Sequence, residues 1–335
     1  MQLVRQTEQM TPRDDRPRRT RLRSARPPSG RSLRARHLRR SVGAALLVAA
    51  LGAACAGPGD GAGGAPGSPA RPAAGQPGSQ AQGASGALNA YVSKLRERRA
   101  ARALAAKRWG LDRPPLEAPA PPAVKPTITT RKGFETDGEG LPPVFTTVPT
   151  KEKVVFLTID DGSEKDPELL RMMSELGIPY SAFLSDYLVK EDYGYFRKMQ
   201  DAGVALHNHT LNHRYMPKLS YAEQKREICG MQDTIEKKYG KRPPLFRPPY
   251  GNYDEDTLRA AQKCGVKAVP LWAAEAFPDR MEWREWDRDL HPGDIVLTHF
   301  RGKGEWKGSM PDMIRRVMKT ITDKGYAVAK LEDYV

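Results

Sequence analysis

The chain has 335 residues, 39% of them hydrophobic, and a formal net charge of +15. That apolar content supports one sizeable core and excludes a wholly disordered chain. The charge resembles a nucleic-acid signal until it is located: residues 1–40 hold 13 Arg against three acids, so the excess is mostly local and no nucleic-acid partner is expected.

After Arg39-Arg40, the stretch Ser41–Ala54 is uncharged and rich in Ala, Leu and Val, and it ends at Cys55. A basic leader, a short apolar run and small residues read as an export signal, too short for a comfortable membrane span. Leu51-Gly-Ala-Ala-Cys55 is similar to a bacterial lipoprotein processing site, although Leu51 stands one place too far upstream. Cys55 is therefore the lipidation candidate and would tether the chain to a membrane. Ala54-Cys55-Ala56 fits an ordinary A-x-A cleavage site equally well. Both alternatives place the protein outside the cell or on its surface.

Residues 56–130 read as a flexible linker of Gly, Ala and Pro, with a basic helix at about 91–109 and a proline-rich end. The folded domain is expected over residues 131–335, with its core from about 150. Phe134, Leu141, Val144 and Phe145 are expected to pack on its outside.

Val154–Leu157 and, across Thr158, Ile159 form an apolar run that reads as a strand buried on both faces. It ends in Asp160-Asp161-Gly162, so two acids sit at a strand's C-terminal mouth, where α/β folds place their chemistry. Alternation sends the two side chains in different directions and fits them for different roles. Downstream, short apolar runs alternate with helical patterns: helices at Asp166–Leu176, Tyr193–Ala202, Ser220–Tyr239, Asp254–Cys264 and Met310–Asp323, with strands between. Ser220-x-x-Glu223 is a capping box. This alternation predicts an α/β fold on a parallel sheet, with enough units to close a barrel.

Three of the six histidines fall in His207-Asn-His209-Thr-Leu-Asn-His213. His209 and His213 are four apart, so a helical turn would aim both at one point. With a carboxylate from elsewhere they would make three protein ligands and leave a position open, as a catalytic zinc requires. A surface pair is the duller alternative. In Arg247-Pro-Pro-Tyr-Gly251 the prolines remove two donors, so the next free N–H is that of Tyr250, and an arginine there suits a carboxylate. Ile295–Thr298 is another apolar strand, ending at His299.

In this order Thr158–Gly162, His209–His213, Arg247–Gly251 and Leu297-Thr-His299 resemble the NodB-homology polysaccharide deacetylases, carbohydrate esterase family 4, over about residues 150–335. The resemblance implies a distorted (β/α) barrel and a divalent metal, usually zinc. It implies Asp161, His209 and His213 as metal ligands, Asp160 as base and Arg247 orienting it. The Tyr250 N–H would bind the oxyanion, Leu297 would shape the acetyl pocket and His299 would be the acid. One motif departs. The family's Asp-x-x-Asp-Trp is here Trp272-Ala-Ala-Glu275-Ala-Phe-Pro-Asp279, in which Glu275 takes the first acid's place and is expected to reach Arg247. The second acid and its tryptophan lack a counterpart at that spacing, with Asp279, Trp283 or Trp286 as substitutes. Trp272 and Glu275 border the expected substrate pocket.

Cys229 and Cys264 both fall on predicted helices, and export favours a disulfide over two buried thiols. The expected function is metal-dependent removal of N-acetyl groups from a cell-wall or extracellular polysaccharide, by a monomer. The alternatives are a non-catalytic glycan-binding wall lipoprotein and a polysaccharide O-acetyl esterase.

Overall fold

Pro167 opens a helix capped by Asp166, and the buried run before Asp160 forms a strand, both where their patterns predict them. In the computed structural model, which describes residues 79–335, helix α1 (Ser79–Arg108) precedes strands β1 (Val144–Phe145) and β2 (Val154–Asp161). Then come α2 (Pro167–Leu176), β3 (Ser181–Leu184), the short α3 (Asp186–Val189), α4 (Tyr193–Asp201), β4 (Ala205–Asn208) and α5 (Tyr221–Tyr239). The remainder is α6 (Glu255–Lys263), β5 (Val269–Pro270), β6 (Ala274–Ala276), β7 (Met281–Trp283), β8 (Ile295–His299), α7 (Met310–Asp323) and β9 (Ala327–Val328). The export segment, Cys55 and the first part of the linker lie outside the described residues.

The largest sheet runs β4-β3-β2-β8-β6-β7, with β9 paired to the start of β2. Every pairing in it is parallel except β6 with β7. β2 is buried along its whole length and takes the centre. Its side chains alternate: Val155, Leu157 and Ile159 pack under the helices, while Val154 and Phe156 enter a second cluster with Phe183, Leu245 and Ile295. The same period places Thr158 and Asp160 on the face of Phe156.

The sequence predicts a barrel, but the regular ladder is an open sheet. Between β4 and β8 the pairing continues only as the separate β1–β5 ladder and single bridges, Asn208 to Phe246, Leu245 to Ala268 and Thr147 to Asp294. Proline accounts for this, since Pro143, Pro149, Pro243, Pro244, Pro248, Pro249 and Pro270 interrupt those segments and offer no N–H. Of the stretch Val266–Trp272 only β5 is regular strand, for the same reason.

Two peripheral expectations also change. Val144 and Phe145 are buried as β1, not packed on the outside, because β1 pairs with β5. The helix predicted at 91–109 runs Ser79–Arg108, and its last turn enters the core. Ala105 and Ala106 allow close approach, Trp109 joins the cluster under α2 and α7, and its Nε1 donates to Glu175 at 2.7 Å.

Candidate active site

Asp160 and Asp161 end β2, and the register sets their neighbours. Asp160 lies opposite Phe183 on β3 and His299 on β8. Its Oδ1 accepts from Arg247 Nη1 at 2.7 Å, and the same nitrogen donates to Thr158 Oγ1 at 3.0 Å, as their shared face requires. Arg247 is fully buried; Nε donates to Pro270 O and Nη2 to Leu271 O, while the guanidinium lies 4.3 Å from the Phe183 ring centre. Burial pushes the Asp160 carboxyl up to about 6, against the Arg247 and His299 charges that lower it.

Asp161 has φ +80°, which turns its side chain out of the strand's alternation. Its Oδ1 stands 3.5 Å from His209 Nε2 and 3.3 Å from His213 Nε2, and Oδ2 accepts from Arg301 Nη2 at 3.1 Å. Burial raises this carboxyl, but His299, His209, His213 and Arg301 together outweigh it and hold it at about 2.

The two imidazoles do not come together on a helical turn, as their spacing suggested. Residues 209–213 form an irregular loop with positive φ at Thr210 and His213. No amide there makes a bond of a local helical turn: His209 N donates to Leu184 O, Thr210 N to Asn208 Oδ1, Leu211 N to Glu227 O, Asn212 N to Glu227 Oε2 and His213 N to Thr210 Oγ1. Ser185 Oγ donates to His209 O. His209 Nδ1 sits 2.7 Å from Arg247 O, which can only accept, so Nδ1 carries the proton and Nε2 is left with a lone pair. Burial lowers both His209 and His213 to about 4 and keeps them neutral, as ligands must be.

One donor atom from each of Asp161, His209 and His213 lies within 4.8 Å of the others. Asp161 Oδ1 is buried with no hydrogen-bond partner, although it faces two imidazole nitrogens. An orphaned carboxylate oxygen among lone pairs is costly unless a cation satisfies it. This donor set fits a divalent ion and leaves positions open for water.

Asp160, Tyr250, Trp272, Glu275, Leu297, His299 and Arg301 complete the wall of a cleft of about 280 Å³ around these three. Tyr250 has φ +61° and is exposed, with its ring 4.7 Å from that of His213. Gly251 follows because a Cβ there would come within 2.8 Å of the Trp272 ring.

Glu275 does not reach Arg247. Its Oε1 lies 3.3 Å from His299 Nδ1, and four of Arg247's five N–H donors go to Asp160, Thr158 and two carbonyls. The tryptophan beside His299 is Trp306, edge-on at 6.2 Å, not Trp283 or Trp286. Sequence reasoning also missed Arg301 and Glu227. Arg301 carried a faint signal, two places past the strand-end His299, whereas Glu227 sits mid-helix in α5 and carried none. His207 stays out of the cleft and pairs with Glu332 Oε1 at 2.7 Å. Cys229 and Cys264 are joined as a disulfide between α5 and the end of α6.

Residues 147–269 match the polysaccharide deacetylase family. An uncharacterised protein of Streptomyces coelicolor is 40% identical over 199 residues, 59% of this chain and 79% of that protein. The chain belongs to the polysaccharide deacetylase family. Among other family members, a peptidoglycan-N-acetylglucosamine deacetylase of Bacillus cereus is 25% identical over 53% of this chain and 86% of its own. A carbohydrate esterase family 4 pseudoenzyme from Bacillus anthracis shares the fold at TM-score 0.50 and 23% identity, over 58% of this chain and 69% of that one.

Proposed function

We propose that this polysaccharide deacetylase-family chain is an exported, zinc-dependent hydrolase that removes N-acetyl groups from a cell-wall polysaccharide. The observation that carries the reading is the pairing of two carboxylates in different states. Asp161 faces two neutral imidazoles with an unpartnered oxygen, and Asp160 beside it is tied to Arg247 with its pKa raised by burial to about 6. The relatives named for peptidoglycan deacetylation support a wall substrate. Export rests on residues 1–55 and on the disulfide.

A divalent ion held by Asp161, His209 and His213 would polarise the acetyl carbonyl and acidify water. Asp160 then takes the proton from the attacking water, because Arg247 fixes Oδ1 and leaves Oδ2 for that proton. The Tyr250 N–H, first donor after two prolines, is the oxyanion's protein contact. His299, whose Nδ1 is turned to Glu275, delivers a proton from Nε2 to the departing nitrogen. Leu297 and Trp272 bound the acetyl side of the cleft. The products are acetate and a free amino sugar.

The test is acetate release from N-acetylated glycan oligomers by the purified protein, with and without chelator. An absence of acetate with zinc present would sink the reading. Glycan binding without turnover, the second reading, drew its support from the altered Glu275 loop, and D160N separates the two. Both readings keep binding in that variant, and only an enzyme has turnover to lose. An O-acetylated glycan run in parallel reports ester cleavage, which needs less help from His299.

A further inference from the structure

We propose that Arg301 is a positioning residue that holds one oxygen of Asp161, so that only the other oxygen faces the metal position. The inference rests on the metal site proposed above. Arg301 Nη2 donates to Asp161 Oδ2 at 3.1 Å, while Oδ1, the oxygen facing His209 and His213, has no hydrogen bond. The two oxygens of one carboxylate are thus divided between a guanidinium and a pair of imidazoles. A free carboxylate could offer both oxygens to a cation, and each extra protein ligand removes a position for water or carbonyl oxygen.

The arginine is itself built in. Its Nη1 donates to Glu305 Oε2 at 2.9 Å, which fixes the plane of the fork. Its Nε is buried without a partner, so the side chain is spent on the two acids and not on the backbone around it. The loop beneath is pinned: Phe300 N donates to Asp160 O, and Phe300 O accepts from Ser163 Oγ and Glu164 N. Gly302 lets the chain pass Glu164, whose carboxylate would lie 2.5 Å from a Cβ there. Glu305 N and Trp306 N both donate to Gly302 O, so one turn carries Arg301, Glu305 and the Trp306 that flanks His299. A fork that grips one carboxylate oxygen also sets a positive charge next to the metal position. It weakens the grip on a dication while keeping the site open.

A merely structural arginine predicts weaker metal binding when it is removed, whereas this arrangement predicts the reverse. In R301Q the freed Oδ2 joins the metal and the repelling charge is gone. Zinc should therefore be held several-fold more tightly by competition titration, while turnover falls about tenfold or more. X-ray absorption at the zinc edge should bring the Asp161 carboxyl carbon closer to the metal, as two-oxygen binding requires. R301K keeps a charge and one donor and should stay near the parent protein in both readouts. Thermal unfolding of the metal-free variants checks the fold. Zinc bound equally or more weakly by R301Q, with the carboxyl carbon unmoved, would overturn the proposal. A parent protein that binds no zinc would instead remove the metal reading on which it rests.

Discussion

Glu275 Oε1 lies 3.3 Å from Nδ1 of His299, an approach that leaves Nε2 as the ring's free nitrogen. The register of β6 on β8 sets Glu275 opposite Leu297, two residues from His299. Burial, then Glu282 and Asp160, push the Glu275 carboxyl up to about 7, and burial lowers His299 against the pull of Asp161 and Asp160. A carboxylate beside an imidazolium stabilises the charged ring, so its removal should lower the pH at which His299, the proposed acid, loses its proton. E275Q is expected to move the alkaline limb of the rate–pH profile downward and to cut turnover by up to about 10²-fold. An unchanged profile would separate Glu275 from the acid. E275D, shorter by one methylene, should fall between the two.

Arg247 carries a larger stability burden than an exposed ion pair among the described residues. It is fully buried, and its four hydrogen bonds run to Asp160, Thr158, Pro270 O and Leu271 O. R247M leaves Asp160 buried without its partner and two carbonyls unsatisfied, at an expected cost of about 3–5 kcal/mol. Adding D160N removes the orphaned charge and should recover part of that loss. Denaturant titration of the two single variants and the double gives the coupling directly. Strictly additive losses would mean that the pair does not act as a unit.

How far the sequence carried the site depends on where each partner lies along the chain. Asp160, Asp161, His209, His213, Arg247 and His299 stand at strand ends or in loops after apolar runs, so pattern and chemistry point together. The geometry that joins His209 to His213 was not legible, because it needs positive φ at Thr210 and His213 in a loop whose Leu211 and Asn212 amides are held by Glu227 of α5. Glu275 was legible as an acid near the cleft, but its partner was not. Two of Arg247's donors are taken by backbone carbonyls that only the folded chain brings together, and two more by Thr158 and Asp160. The barrel expectation counted strand–helix units and underweighted prolines, which reduce one side to the short β1–β5 ladder and isolated bridges.

The Cys229–Cys264 disulfide ties α5 to the end of α6 across a sequence separation of 35. α5 also carries Glu227, which holds both Asn212 N and Asn212 Nδ2, and Ile228 O, which accepts from Asn208 Nδ2. Opening the bridge should cost about 2–4 kcal/mol. C229A/C264A is therefore expected to unfold at lower denaturant, and zinc, if bound as proposed, should leave it faster because the His209–His213 loop leans on α5. Equal midpoints for parent and variant would show that the helices hold without the bridge.

Metal-free protein should lose stability in mild acid, and His213 supplies a measurable part of the loss. Its folded pKa is lowered by burial to about 4, from 6.5. Above pH 6.5 the ring is neutral in both the folded and the unfolded chain, so its titration costs nothing there. As pH falls below 6.5 the unfolded chain takes up a proton that the folded chain refuses, and unfolding is favoured until the folded ring titrates near 4. The full window corresponds to roughly 3 kcal/mol. Asp160 acts in the opposite sense, because its raised pKa favours the folded state as pH drops through about 6, so the whole-protein slope is shallower than that of the histidines alone. The clean measurement is a difference between parent and H213N, in which asparagine tolerates the positive φ. Its stability should fall less between pH 6.5 and 4 than the parent's. Parallel curves would place the His213 ring in water and not in the buried cleft.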